Sequence, residues 1–177
     1  MSNNIIYKNE TMNLIDDAME EGYMAQAIHV NMPDDQKCII KRSHGDTTMT
    51  ILYSVPNLEF RSEILELDSF LAPLQVPVKT YLLLNQKTKE IDDFQNKLKR
   101  LEIVYDTYDE FGTWYGTKIT NGSLEGALCK SLFLISREGA IFYVDMPFDL
   151  SEAISIERLH AALNKAYTIY TGVGCHE

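Results

Sequence analysis

The segment TMTILYSVPNLEFRSEILELDSFL, residues 48–71, changes its hydrophobic period in the middle. Residues 48–54 are rich in β-branched and large apolar side chains, the composition of a strand. From Phe60 onward the apolar residues Phe60, Ile64, Leu67 and Leu71 recur at i, i+4, i+7 and i+11, one stripe of an α-helix. Asn57 is placed to cap the start of that helix. Glu59 suits its first turn, where the helix dipole favours negative charge. A strand that runs through a short break into a helix is a junction where many enzymes hold a nucleophile. Here LYSVPNLEFRSE (52–63) offers a serine, an asparagine and an arginine, but no cysteine, histidine or G-x-S-x-G turn.

On the C-terminal side, VKTYLLL (78–84) does not alternate, as expected of a strand covered on both faces. Ile91, Phe94, Leu98 and Leu101 predict a second helix, and LEIVYD a further strand. A short helix around YDEFGTWYG is expected to stop at Gly116, a left-handed end signal. SLFLIS (131–136) and AIFYVD (140–145) flank REG as a hairpin. A last helix is predicted over about 152–168, with Ile156, Leu159, Leu163 and Ala166 on one face. On the N-terminal side, the short β-like pieces NIIYK, TMNLI, QAIHV and KCIIK are punctuated by the turn signals EEG and PDD. This order predicts an α/β fold, a mixed sheet flanked by helices. It is the order of a thioredoxin-like fold with an added N-terminal β-hairpin.

With 177 residues and no repeat or Pro/Ser-rich linker, the chain is expected to form a single domain over 1–177. A hydrophobic fraction of 45% with 24% charged residues suits a soluble globular protein. No apolar run approaches the length of a membrane span. The start MSNNIIYKNE lacks the layout of a signal peptide, so a cytoplasmic location is expected. The net charge of −10 argues against nucleic acid or an anionic membrane as a partner, since phosphate would be repelled. Cys38, Cys129 and Cys175 are widely spaced and form no C-x-x-C, which excludes a disulfide framework and a zinc ribbon. His29, His44, His160 and His176 are scattered, and there is no H-E-x-x-H motif or Gly-rich phosphate loop. No metal and no cofactor are expected. Cys175, His176 and Glu177 together read as a solvated tail rather than a metal site.

The stretch YDEFGTWYGTKITNGSLEGALCKSLFLISREGAIFYVDM resembles the thiol peroxidase branch of the peroxiredoxins. In that branch a short helix ending in Tyr-Gly leads to a Gly-x-Leu-x-Gly loop, then an arginine, a central strand and a hairpin. Tyr115-Gly116, Gly122-Ser123-Leu124-Glu125-Gly126 and SLFLIS follow the same sequence of features. IIYKNETMNLI is similar to the family's opening hairpin, and EEGYMAQAIHV (20–30) to a worn Gly-x-x-Ala element. The resemblance covers nearly the whole chain and is most specific over 105–145. It implies a thioredoxin-like fold and a homodimer. It also implies peroxide reduction by a cysteine in a Pro-x-x-Asp-Thr-x-x-Cys run, where a helix N-terminus and an arginine favour the thiolate. A resolving cysteine then closes a disulfide, which thioredoxin reduces.

At LYSVPNLEFRSE this sequence departs from that pattern. Ser54 stands where the resemblance puts the proline, Leu58 where it puts the threonine, and Arg61, or Ser62 one residue on, where it puts the cysteine. The resolving position falls near Phe94 or Gln95, again without sulfur. Lys130 stands in place of the arginine, keeping the charge but losing the planar fork. Three readings follow. In the first, peroxide chemistry is lost and the scaffold is a pseudoenzyme that acts in binding or regulation, with a protein partner. In the second, a relocated thiol is active: Cys129, beside the cation of Lys130, or Cys175 in the tail. Against that reading, Cys129 is expected to be a buried structural residue, Cys175 to be exposed without a pocket, and Cys38 to lie in the core. In the third, Arg61 and Lys130 converge at a helix N-terminus to bind a small anion, unless Arg61 turns outward to Glu59 or Glu63. Tyr53, Phe60, Tyr105, Tyr108, Phe111, Trp114 and Tyr115 fall in segments that border the active site or dimer face in the family. They are expected to serve mostly as packing.

Overall fold

The chain opens with a tight antiparallel hairpin of β1 (Asn4–Tyr7) and β2 (Glu10–Asn13). Its turn residues, Lys8 and Asn9, have φ of 51° and 66°, the left-handed pair whose twist matches the flanking strands. A computed structural model of the protein describes residues 3–170. The remaining strands are β3 (Ile28–Asn31), β4 (Lys37–Ile40), β5 (Met49–Ser54), β6 (Val78–Leu84), β7 (Glu102–Tyr105), β8 (Ser131–Ile135) and β9 (Ile141–Asp145). They form a seven-stranded mixed sheet in the order β4-β3-β7-β6-β5-β8-β9. The helices are α1 (Arg61–Leu71), α2 (Lys89–Phe94), α3 (Glu110–Trp114) and α4 (Ile156–Tyr170).

β5, β6 and β7 run parallel because a helix crosses over between each successive pair, α1 and then α2. The hairpin of β8 and β9 adds antiparallel strands on the other side of β5. Every residue of β5 and of β8 is buried, as a strand covered on both faces must be. Alternate residues feed two cores. Ile51, Tyr53 and Leu82 pack with Ile64, Leu67 and Leu71 of α1 and with Leu159, Leu163 and Ala166 of α4. Leu52, Leu83 and Phe133 face the other way, toward Phe111 of α3 and Tyr115 just beyond it. Those aromatic rings stack and meet edge-on, with Phe111–Tyr115 at 5.0 Å and Tyr115–Phe133 at 5.1 Å. The thioredoxin-like α/β fold with its N-terminal hairpin is therefore the one the sequence predicts. Gly116, at φ +73°, ends the α3 segment as expected.

Two helix boundaries move. The stripe from Ile91 to Leu101 is helical only to Phe94, followed by a 3-10 turn at Gln95–Lys97. Beyond it the buried Asp68 carboxylate accepts the backbone N–H groups of Lys99, Arg100 and Leu101 at 2.8, 2.9 and 2.9 Å, which pins the chain extended into β7. The last helix starts at Ile156 rather than near 152. Ser155 Oγ accepts the N–H of Arg158 at 3.1 Å, and Asp145 accepts the N–H of Ser155 at 2.8 Å. Among the described residues, no helix is long and apolar enough to cross a membrane. Cys175, His176 and Glu177 lie outside the described residues.

Candidate functional site at the strand to helix junction

β5 ends in Ser54, which is fully buried. Its hydroxyl donates to the Cys129 carbonyl at 2.7 Å and lies 2.6 Å from Ser131 Oγ, so it fastens β5 to the start of β8. The chain then turns through Pro56 and Asn57 into a 3-10 turn at Leu58–Phe60. Asn57 Oδ1 accepts the Glu59 N–H at 2.8 Å, so the expected cap closes this turn rather than α1 itself. Leu58 and Phe60 are buried beneath it. Arg61 opens α1, with its Nε donating to the Leu58 carbonyl at 2.8 Å and its Nη2 pairing with Glu90 at 3.1 Å. Ser62 is exposed on the first turn of α1.

Lys130 has no exposed surface. Its ammonium donates to Glu63 Oε2 at 2.6 Å and to the carbonyls of Leu150 and Glu152 at 2.6 and 2.7 Å. It also stands 4.8 Å from the centre of the Phe60 ring. An ammonium has three N–H groups, and all three are engaged within the protein. Lys130 therefore ties the first turn of α1 to the segment before α4. The cationic spot expected from Arg61 and Lys130 is not assembled: the Lys130 donors are enclosed, and the Arg61 fork is turned to Glu90 rather than to Glu59 or Glu63.

Cys129 is completely buried, and burial pushes its thiol up to about 12. At neutral pH such a thiol is thiolate to only about one part in 10⁵. A backbone hydrogen bond opposes this rise without cancelling it. Cys38 is half-buried on β4, the edge strand of the sheet, and not in the core. Its neighbours Lys37 and Ile39 are exposed, as suits a strand paired along one side only. At the expected resolving position, Phe94 is buried and Gln95 bridges Ile103 N–H and the Leu101 carbonyl.

Of the aromatic residues, Tyr53, Phe60, Tyr105, Phe111 and Tyr115 are core, while Tyr108 and Trp114 are exposed. Three features escaped the sequence reading. Glu63 is the counter-ion of Lys130, sixty-seven residues away, and an i, i+3 or i, i+4 search would not pair them. Asp106, 2% exposed, accepts the N–H groups of Phe111 and Gly112 at 3.0 and 2.8 Å. Burial pushes its carboxyl up to about 6 despite those two hydrogen bonds. The third is a cleft of about 350 Å³ beside the junction, lined by Asn57, Asn85, Gln86, Ser123 and Glu125 among others. Asn85-Gln86 directly follows the strand VKTYLLL, and ligands of open α/β sheets sit beyond such strand ends, so this signal was available in the sequence.

No family model matches the chain. Over 67 residues it is 36% identical to a thiol peroxidase of Campylobacter jejuni, a match that spans 38% of this chain and 37% of that relative's length. The fold is similar to a peroxiredoxin-like protein from Aquifex aeolicus, with a TM-score of 0.83 and 19% identity, covering 94% of this chain and 98% of the other. It is also similar to a thiol peroxidase from Chromobacterium violaceum, with a TM-score of 0.81 and 14% identity, covering 93% and 98%. A mitochondrial 2-Cys peroxiredoxin from Plasmodium falciparum follows at 0.67 and 12% identity, covering 86% and 96%. The chain thus has the thioredoxin-like fold of the peroxiredoxins, and over those 67 residues its sequence is similar to that of a thiol peroxidase.

Proposed function

We propose that the protein is a thiol-peroxidase-like scaffold that has lost cysteine-based peroxide reduction and acts in binding or regulation. The observation that carries this reading is the composition of the junction. Between Ser54 and Ser62 there is no sulfur, and the described residues hold no activated thiol near it. Peroxide reduction needs a thiolate that attacks the O–O bond and becomes a sulfenic acid while the peroxide leaves as water or alcohol. A serine hydroxyl cannot undergo that oxidation. Cys129 has the wrong protonation and no access to solvent.

What remains at this end of the sheet is the polar cleft beside the junction, whose amide and hydroxyl groups suit hydrogen bonding to a small polar ligand or to a partner's backbone. The scaffold is taken to act as a homodimer, on the resemblance to thiol peroxidases; sedimentation velocity measures that state directly.

The test of lost chemistry is peroxide consumption with dithiothreitol or thioredoxin as reductant. The wild type and a Cys129→Ser, Cys175→Ser variant should both be inactive. Turnover in the wild type that disappears in that variant, or on Cys38→Ser, would overturn the proposal.

A further inference from the structure

Between the N-terminal hairpin and the end of β9 lies a groove of about 550 Å³, within the range of ligand-binding clefts. Ile5, Met19, Val144 and Met146 line it, and Phe148 joins them with 56% of its surface exposed. Its walls are held by backbone hydrogen bonds. Ile6 N–H donates to the Phe148 carbonyl and Leu150 N–H to the Ile6 carbonyl, both at 2.9 Å, and Met19 N–H donates to the Tyr115 carbonyl at 3.3 Å. These bonds fix the groove's walls, and a large aromatic side chain stands exposed at its lip.

The charge around this apolar lining is one-sided. Asp16, Asp17, Glu20 and Glu21 all line the groove, and no lysine or arginine does. None of the four is in an ion pair among the described residues. Asp16 and Glu21 each accept one backbone N–H, from Asp17 at 2.7 Å and from Val144 at 3.3 Å, which leaves their charges unbalanced. The same field disfavours several occupants. A second copy meeting this groove through the same surface would set the four carboxylates against their own counterparts, and an anionic lipid surface is also negative, so both are disfavoured at this groove. A metal ion alone would leave the apolar lining unused, and no group of metal ligands is present among the described residues.

We propose that this groove docks a basic, amphipathic segment of a partner protein. Large apolar side chains of the segment occupy the lining beside Phe148, and its lysine or arginine side chains face the four carboxylates. This surface is independent of the strand to helix junction and of any peroxide chemistry there.

The probe is a fluorescein-labelled peptide that alternates lysine with leucine and phenylalanine, titrated with the full chain and followed by fluorescence anisotropy at physiological salt. The variant Asp16→Asn, Asp17→Asn, Glu20→Gln, Glu21→Gln should weaken binding by about tenfold or more. A control variant, Glu66→Gln, Glu102→Gln, Glu138→Gln, Glu157→Gln, makes the same change in net charge away from the groove and should bind within about twofold of wild type. Phe148→Ser should also weaken binding severalfold, and the circular dichroism of each variant establishes that it is folded. A groove variant that no longer folds is replaced by charge reversal on the peptide, where a glutamate-for-lysine version should not bind. The proposal is overturned if the peptide does not bind, if the two charge variants weaken it equally, or if Phe148→Ser leaves it unchanged.

Discussion

The Nζ atom of Lys130 lies 2.6 Å from Glu63 Oε2, and this pair joins the residue before β8 to the first turn of α1. Lys130 is fully buried, whereas the Glu63 side chain keeps 21% of its surface. Removing one partner of such a pair strands the other, and strands here also the carbonyls of Leu150 and Glu152. Lys130→Met should therefore lower the unfolding free energy by about 3 kcal/mol, and Lys130→Met with Glu63→Leu should recover a substantial part of it. Urea denaturation of both variants measures the difference. Equal losses in the single and double variants would show that the ion pair is not what stabilises the junction.

Asp106 makes stability depend on pH in a direction opposite to that of most carboxylates. Its pKa is raised from 3.8 to about 6, first by burial, with the N–H groups of Phe111 and Gly112 opposing and Asp109 and Glu110 adding to the rise. Between those two values the folded protein binds more protons at this site than the unfolded chain does. The contribution of Asp106 is thus fully present below about pH 4 and is lost as pH rises through about 6. Asp106→Asn removes the titration, so it should cost more stability at pH 4.5 than at pH 7. Denaturation of wild type and variant at both values tests the sign.

The parts of the fold visible in the sequence are those fixed by local period. The stripe Phe60, Ile64, Leu67, Leu71 became α1, and the unbroken run VKTYLLL became a strand flanked on both sides by parallel neighbours. The early end of the second helix was hidden because its cause is Asp68, about thirty residues earlier in the chain. The edge position of Cys38 was hidden because an apolar run such as KCIIK does not state how many neighbours its strand will have. At the junction the absence of sulfur could be read directly. The fate of Lys130 could not, since its acceptors come from α1 and from the loop before α4.

Gly116 is required for two reasons. Its φ of +73° lies in the left-handed region, and a Cβ there would come within 2.4 Å of the Asp17 carbonyl oxygen and 2.9 Å of Ala18 Cα. Backbone cannot swing aside as a flexible side chain can. Gly116→Ala should therefore destabilise the protein by about 2 kcal/mol or more. Gly22, also at positive φ but with nothing within 4 Å of the added carbon, should show a smaller loss when changed to alanine. Thermal melts of the two variants make the comparison, and similar shifts would mean that backbone conformation, not the Asp17 contact, sets the cost.

The two cysteines within the described residues should differ in reactivity by more than their shared chemistry suggests. Cys38 is half-buried on an edge strand, whereas Cys129 is sealed in the core with its thiol pushed up to about 12. Alkylation needs both the thiolate and a path to it, and Cys129 lacks both. Iodoacetamide at pH 8 followed by peptide mass spectrometry should label Cys38 in the folded protein. Cys129 should be labelled only when urea unfolds the chain, with the two sites converging under those conditions. Prompt labelling of Cys129 in the native protein would mean that the core around β8 opens readily. A reactive thiol would then lie one residue from Lys130, and the proposed loss of thiol chemistry at this end of the sheet would no longer stand.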